Sequence, residues 1–213
     1  MTSRFVRLLL ALLVLWPAAA LAEDVPGRFD FYLLSLTWSP SYCAAEGGKR
    51  EDAQCEGGRR YGFLVHGLWP QYERGYPEDC PTSLFPSKAD IQGLSDLMPA
   101  DGLVRHEWRK HGACSGLAPA DYLKTIRAAR ETVRIPAAFQ HIDSYKTVSP
   151  AEVEAAFVAA NPGLKPEGVA VTCDGRRLRE VRICLTRDLG FRACDEVDRH
   201  ACRADKVVLP PVR

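Results

Sequence analysis

The 213-residue sequence predicts an α+β fold in one disulfide-stapled domain. Three observations carry this: strand-like segments near both ends, segments of helical period between them, and an even set of eight cysteines. The chain opens with Arg4 and Arg7, an uninterrupted apolar run from Leu8 to Trp16, and the small-x-small pattern Ala20-Leu21-Ala22. That anatomy is a secretory signal peptide over residues 1–22, with residues 23–213 as the mature domain. The apolar run is too short to span about 30 Å of hydrocarbon comfortably. No anchor is therefore expected once the signal is removed, and the expected location is secreted or periplasmic.

Cleavage would remove two arginines and no acids, leaving a mature domain one acidic charge in excess. A near-neutral body argues against holding nucleic acid by a broad basic stripe, which leaves room for positive charge focused in a cleft. The cysteines are Cys43, Cys55, Cys80, Cys114, Cys173, Cys184, Cys194 and Cys202, all after the signal. In an exported chain they read as disulfides. No C-x-x-C pair occurs, which disfavours a zinc cluster or a redox motif. Many pairings are possible, and spacing suggests Cys43–Cys55 as a local clip, Cys184–Cys194 nested inside Cys173–Cys202, and Cys80–Cys114 from the remaining two. The single asparagine, Asn161, precedes a proline, so no glycosylation sequon exists.

Asp30 to Trp38 is rich in aromatic and aliphatic residues and reads as a strand stopped by Ser39-Pro40. The glycine-rich, charged region Ala44 to Arg60 reads as a surface loop. Tyr61 to Leu68 alternates as a second strand, with Tyr61, Phe63 and Val65 on one side and Leu64 and His66 on the other. Ile91, Leu94, Leu97 and Met98 recur at helical spacing up to Pro99. Leu103 to His111 reads as a helix stopped by Gly112, and Pro119 opens another running through Tyr122, Leu123, Ile126 and Val133. Ser149-Pro150-Ala151-Glu152 is a capping box for a helix ending near Asn161-Pro162-Gly163. Val181, Ile183 and Leu185 alternate with Glu180, Arg182 and Cys184, as in a strand with one wet face.

The chemistry concentrates in two short segments. One is His66-Gly67-Leu68-Trp69-Pro70; the other runs His106-Glu107-Trp108-Arg109-Lys110-His111-Gly112-Ala113-Cys114. On a helix Glu107, Lys110 and His111 share a face, which would gather an anion, a fixed cation and a titratable imidazole, with His106 at its edge. Taken singly, such a Glu–Lys pair is usually a solvated helix surface. A zincin site needs histidines four apart on one helical face, whereas His106 and His111 are five apart, so catalytic zinc is disfavoured. Gly67 and Pro70 fix a bend that would aim His66 and Trp69 into a cleft, where the indole could stack on a base.

These two segments resemble the signature segments of the ribonuclease T2 family. Trp38-Ser39-Pro40-Ser41-Tyr42-Cys43 and Val181-Arg182-Ile183-Cys184-Leu185 resemble that family's segment after its first strand and its late strand. The resemblance runs from about Phe29 to about Cys202. It implies a central antiparallel β-sheet flanked by helices. It also implies cleavage of single-stranded RNA through a 2′,3′-cyclic phosphate without metal or other cofactor. Carried over by motif position, His66, Glu107 and His111 form the catalytic set. His106 holds phosphate, Lys110 stabilises developing charge, and Trp69 helps hold a base. Ala113 stands where the family usually has a small hydroxyl residue, and Gln71 where some members place an acid that contributes to base choice.

The chemistry agrees with that division. Attack by a ribose 2′-OH needs a base and departure of the 5′-oxygen needs an acid. Two imidazoles with ordinary pKa values near about 6.5 supply both, one neutral and one charged. DNA lacks the 2′-OH and is not expected as a substrate. A monomer is expected. The residues alone leave open which histidine is the base.

Overall fold

The computed structural model describes residues 24–46, 53–55 and 60–212. The expected signal peptide lies outside these residues, as do residues 47–52 and 56–59 of the expected surface loop. Strand β1 (Phe31–Trp38) is followed directly by helix α1 (Ser39–Glu46). Ser39-Pro40 thus ends the strand by starting a helix, because proline fits a first helical turn, where its missing N–H would have no partner. The loop accordingly begins later than Ala44.

Strand β2 spans Phe63–Gln71 and helix α2 only Lys88–Gln92, closed at its start by a Ser87–Asp90 capping box. The helical period seen over Ile91 to Met98 continues as a series of turns after Gly93, and Ile91, Leu94 and Met98 are still buried. Turns and helices bury the same spacing of side chains, so periodicity alone does not separate them. Helices α3 (Asp101–Lys110), α4 (Pro119–Thr132) and α5 (Pro150–Ala160) follow, the last carrying the Ser149–Glu152 capping box. Strands β3 (Lys146–Val148), β4 (Val169–Asp174) and β5 (Arg177–Leu185), helix α6 (Asp195–Arg199) and strand β6 (Val207–Leu209) complete the chain.

The strands form one sheet in the order β2-β1-β5-β6-β3, with β4 also paired to β5. Its pairings are antiparallel apart from β5 with β6, which meet in parallel at Arg177 and Val208. The sheet is therefore mixed rather than purely antiparallel. One face carries Leu34, Leu36, Val65, Leu68, Val181 and Ile183, buried against Trp108, Tyr122, Ile126 and Phe157 of the helices. Each such large side chain contributes about 1.5–3 kcal/mol by leaving water.

The opposite face is only partly apolar. Phe31, Leu33, Ala170 and Cys184 form a small cluster there with Cys194 and Val197. The late strand was expected to have a wet face, yet Glu180 and Cys184 on that side are 2% and 0% exposed. Two things cover it: α6, drawn down by the Cys184–Cys194 bridge, and side chains reaching over from β2. The other bridges are Cys43–Cys55, Cys80–Cys114 and Cys173–Cys202. Among the described residues no helix is long and apolar enough to cross a membrane.

Cys80–Cys114 fastens the segment before α2 to the turn that follows α3. Replacing both cysteines by serine should lower stability by about 2–5 kcal/mol, seen as a fall in Tm of roughly 4–20 °C in thermal denaturation. An unchanged Tm would show that this bridge restrains nothing.

Candidate active site

The site grows from an irregularity in the β1–β2 ladder. Pairing passes from Ser35–Gly67 to Leu36–Val65, so His66 is an extra residue on β2. Such a bulge shifts the in–out alternation and re-aims side chains. Val65 and Leu68, three apart, consequently both enter the main core. His66 and Trp69, also three apart, come together on the other face, their ring centroids 5.4 Å apart. The simple alternation expected for this strand holds only up to the bulge.

Helix α3 brings Glu107 beneath this pair. Its carboxylate is 2% exposed. Oε2 accepts a 2.6 Å hydrogen bond from Trp69 Nε1, and Oε1 lies 3.7 Å from His66 Nε2. Gly67 makes the approach possible, because a Cβ there would collide with both the Glu107 carboxylate and the Trp69 indole. Burial pushes the Glu107 pKa up, against the opposing pull of His66 and Trp69.

Helix α3 ends at Lys110, and His111 leaves helical geometry with φ −128° and ψ −45°. Glu107, Lys110 and His111 therefore do not form the single helical face expected from their spacing. The His111 ring instead packs 5.2 Å from the Trp69 indole and 6.0 Å from Tyr76. Gly112 is required for space, not for a left-handed cap: a Cβ would strike the rings of Tyr122 and Trp108. The Lys110 ammonium is engaged by Glu78 at 2.6 Å and Asp79 at 2.7 Å. Asp79 adopts a positive φ of 52°, and its N–H donates to the Lys110 carbonyl at 2.9 Å, closing the helix end. His106 is exposed on α3.

The two imidazoles are polarised in opposite directions. Burial works against a charge on His66, but the hydrogen bond it donates to Glu180 and the charges of Glu180 and Glu107 outweigh it and raise its pKa. Burial, reinforced by the Lys110 ammonium and by the neighbouring imidazoles of His106 and His66, depresses His111 to about 4. Its Nδ1 is buried with no hydrogen-bond partner among the described residues. A cleft of ≈ 300 Å³ opens beside His111, lined by Trp69, Tyr76, Arg182, Glu196 and His200 among others.

The local motifs did not reveal four of the residues built into this site. Glu180 Oε1 lies 2.6 Å from His66 Nδ1, and the Arg182 guanidinium sits 5.3 Å over the Trp69 ring. Tyr76 and Glu196 line the cleft. For Glu180 and Arg182 a signal existed, since two charges alternate with core residues on a strand. The same alternation also describes a solvated strand face, and sequence alone does not separate the two. Among the described residues, no group of three or more His, Cys, Asp or Glu side chains is placed to hold a metal ion.

Residues 29–194 match the Ribonuclease T2 family. A ribonuclease of Aeromonas hydrophila is 36% identical over 191 residues, covering 87% of this chain and 86% of that protein. Ribonuclease I of Escherichia coli is 29% identical over 215 residues, covering 80% of each. Among solved structures, an RNase-related protein from Calystegia sepium superposes with a TM-score of 0.70 at 21% identity, over 87% of this chain and 98% of its own. A family match spanning most of the domain, joined to near full-length likeness to a bacterial ribonuclease, makes this chain a member of the ribonuclease T2 family and an endoribonuclease.

Proposed function

We propose that the chain cleaves single-stranded RNA by metal-independent transesterification, with His111 as general base and His66 as general acid. The observation that carries this reading is two imidazoles packed against Trp69 in opposite settings, His66 hydrogen-bonded to a buried carboxylate and His111 with a buried Nδ1 that has no partner among the described residues. Fold likeness alone would not carry it, since an RNase-related protein shares the architecture and function resides in the site.

A nucleotide whose base enters the cleft against Trp69 and Tyr76 presents its ribose beside His111. Neutral His111 takes the 2′-OH proton as the 2′-oxygen bonds to phosphorus. Protonated His66 gives its proton to the departing 5′-oxygen as the P–O5′ bond breaks. Water then opens the 2′,3′-cyclic phosphate to a 3′-phosphate with the roles reversed. Glu107 anchors the Trp69 indole and faces His66, which favours the imidazolium. Lys110 places positive charge near the phosphate, where it stabilises the transition state more than the ground state, and His106 offers an N–H to hold the phosphate. Lys110 acts there from within its carboxylate pair. DNA, lacking the nucleophile, is excluded. The signal anatomy and the four bridges support a secreted or periplasmic enzyme.

Single-stranded oligoribonucleotides digested in excess EDTA should yield 2′,3′-cyclic and 3′-phosphate ends by mass spectrometry. His66→Ala and His111→Ala should each lose roughly 100- to 10,000-fold in rate. Wild-type rates in both variants would sink the assignment, and activity lost in EDTA but restored by zinc would replace it with metal catalysis.

The pH profile of kcat/KM should be bell-shaped. His111 must be deprotonated, so activity falls as pH drops through about 4. His66 must be protonated, and its raised pKa keeps it so past its ordinary 6.5 before the alkaline limb begins. A Gly67→Ala enzyme should keep its far-ultraviolet circular dichroism yet lose roughly 10- to 100-fold in kcat/KM, because the added methyl displaces Glu107 and Trp69.

A further inference from the structure

Glu180 belongs to neither histidine segment and lies 114 residues from His66 in sequence, yet it makes the shortest polar contact to that ring. The contact crosses a whole strand. β1 runs between β2 and β5, with Ser35 opposite Gly67 on one side and Arg182 on the other, and Thr37 opposite Glu180. Residues directly opposed in a ladder point to the same face. Small side chains at Ser35 and Thr37, together with Gly67, therefore leave a gap over β1 through which His66 and Glu180 meet. Both β1 residues are buried beneath that contact.

Glu180 is itself held. Arg182 Nε and a terminal guanidinium nitrogen both approach its second oxygen, at 3.0 and 2.9 Å. Burial alone would raise the Glu180 pKa, but His66 and Arg182 hold it at about 2. An ionised carboxylate only accepts, so Nδ1 of His66 must carry the hydrogen that lies between them. The other nitrogen, Nε2, is then the one free to exchange a proton.

We propose that Glu180, locked by Arg182, is the positioning residue for His66, fixing Nδ1–H toward itself and presenting Nε2 to the leaving oxygen of the substrate. The inference rests on the acid role given to His66 above. The arrangement follows the general logic by which a carboxylate orients a catalytic imidazole and stabilises its cation. The charged and titratable groups facing His66 are Glu180 and Arg179 from β5, Glu107 from α3, and the His111 imidazole from the turn after it. Glu180 is the one within hydrogen-bond distance. Arg182 reaches His66 only through Glu180, while its guanidinium also covers Trp69.

The test uses the mature enzyme and three readouts: kcat and KM against pH on a dinucleotide, nitrogen-15 shifts of the His66 ring, and Tm. Glu180→Gln should lower the titration midpoint of His66 and draw the alkaline limb to lower pH, leaving the acid limb in place. At neutral pH kcat should fall roughly 10- to 100-fold with KM little changed. Glu180→Asp, which keeps the charge, should recover part of the alkaline limb. Arg182→Gln should move that limb the opposite way, upward, by leaving Glu180 a less compensated anion. A folded Glu180→Gln enzyme with an unaltered His66 titration and alkaline limb would overturn the proposal. If Glu180→Gln does not fold, the wild-type nitrogen shifts decide: Nδ1 protonated above the His66 midpoint supports the assignment, and Nε2 protonated overturns it. The nitrogen shifts need no substrate. Full activity in His66→Ala would therefore remove the acid role while leaving the Glu180–His66 contact measurable.

Discussion

The site depends on one steric constraint, the thinness of β1 at Ser35 and Thr37. Only small side chains there, with Gly67 on the neighbouring strand, let residues of β2 and β5 touch across the strand between them. The bulge at His66 complements that gap by bringing His66 and Trp69 to the same face. A regular ladder would send one of those two rings into the helical core. Main-chain pairing thus selects which side chains can meet before any electrostatics operate.

Two carboxylates occupy this nearly dry face, and burying a charge is unfavourable unless it is bonded. Glu107 is satisfied by the Trp69 indole, and Glu180 by His66 and the Arg182 fork. Both anions lie on the His66 side. The Lys110 ammonium lies on the His111 side, at the end of α3. The two imidazoles that pack against Trp69 therefore have opposed charge preferences, which is what the proposed acid and base roles require.

The remainder of the molecule keeps these parts in register. Asp79 and the Cys80–Cys114 bridge pin the end of α3, where Lys110 and His111 sit. Close packing of Gly112 on Tyr122 and Trp108 fixes the direction in which the chain leaves that helix, and the Tyr122 hydroxyl donates to the Leu68 carbonyl at 2.7 Å on the active strand. On the far side, the Cys184–Cys194 bridge brings α6 down as a wall of the cleft, adding Glu196 and His200 to its lining.

Much of this is written locally. The α+β order, the α5 capping box, and the grouping of His66 with Trp69 and of Glu107 with His111 are all contained in short stretches of sequence, because helix caps, turns and motif spacing act over a few residues. The tertiary structure decided what spans long separations. Helix α2 stops at Gln92 and gives way to turns, a choice that the apolar period does not encode. The bulge at His66 broke an alternation that is readable only for a regular strand. Glu180 and Arg182, which looked like a solvated strand face, became the partners of His66 and Trp69, and Lys110 was claimed by Glu78 and Asp79. Local sequence specifies which groups a segment offers, whereas burial and pairing between distant strands set the dielectric and the neighbours that turn those groups into a site.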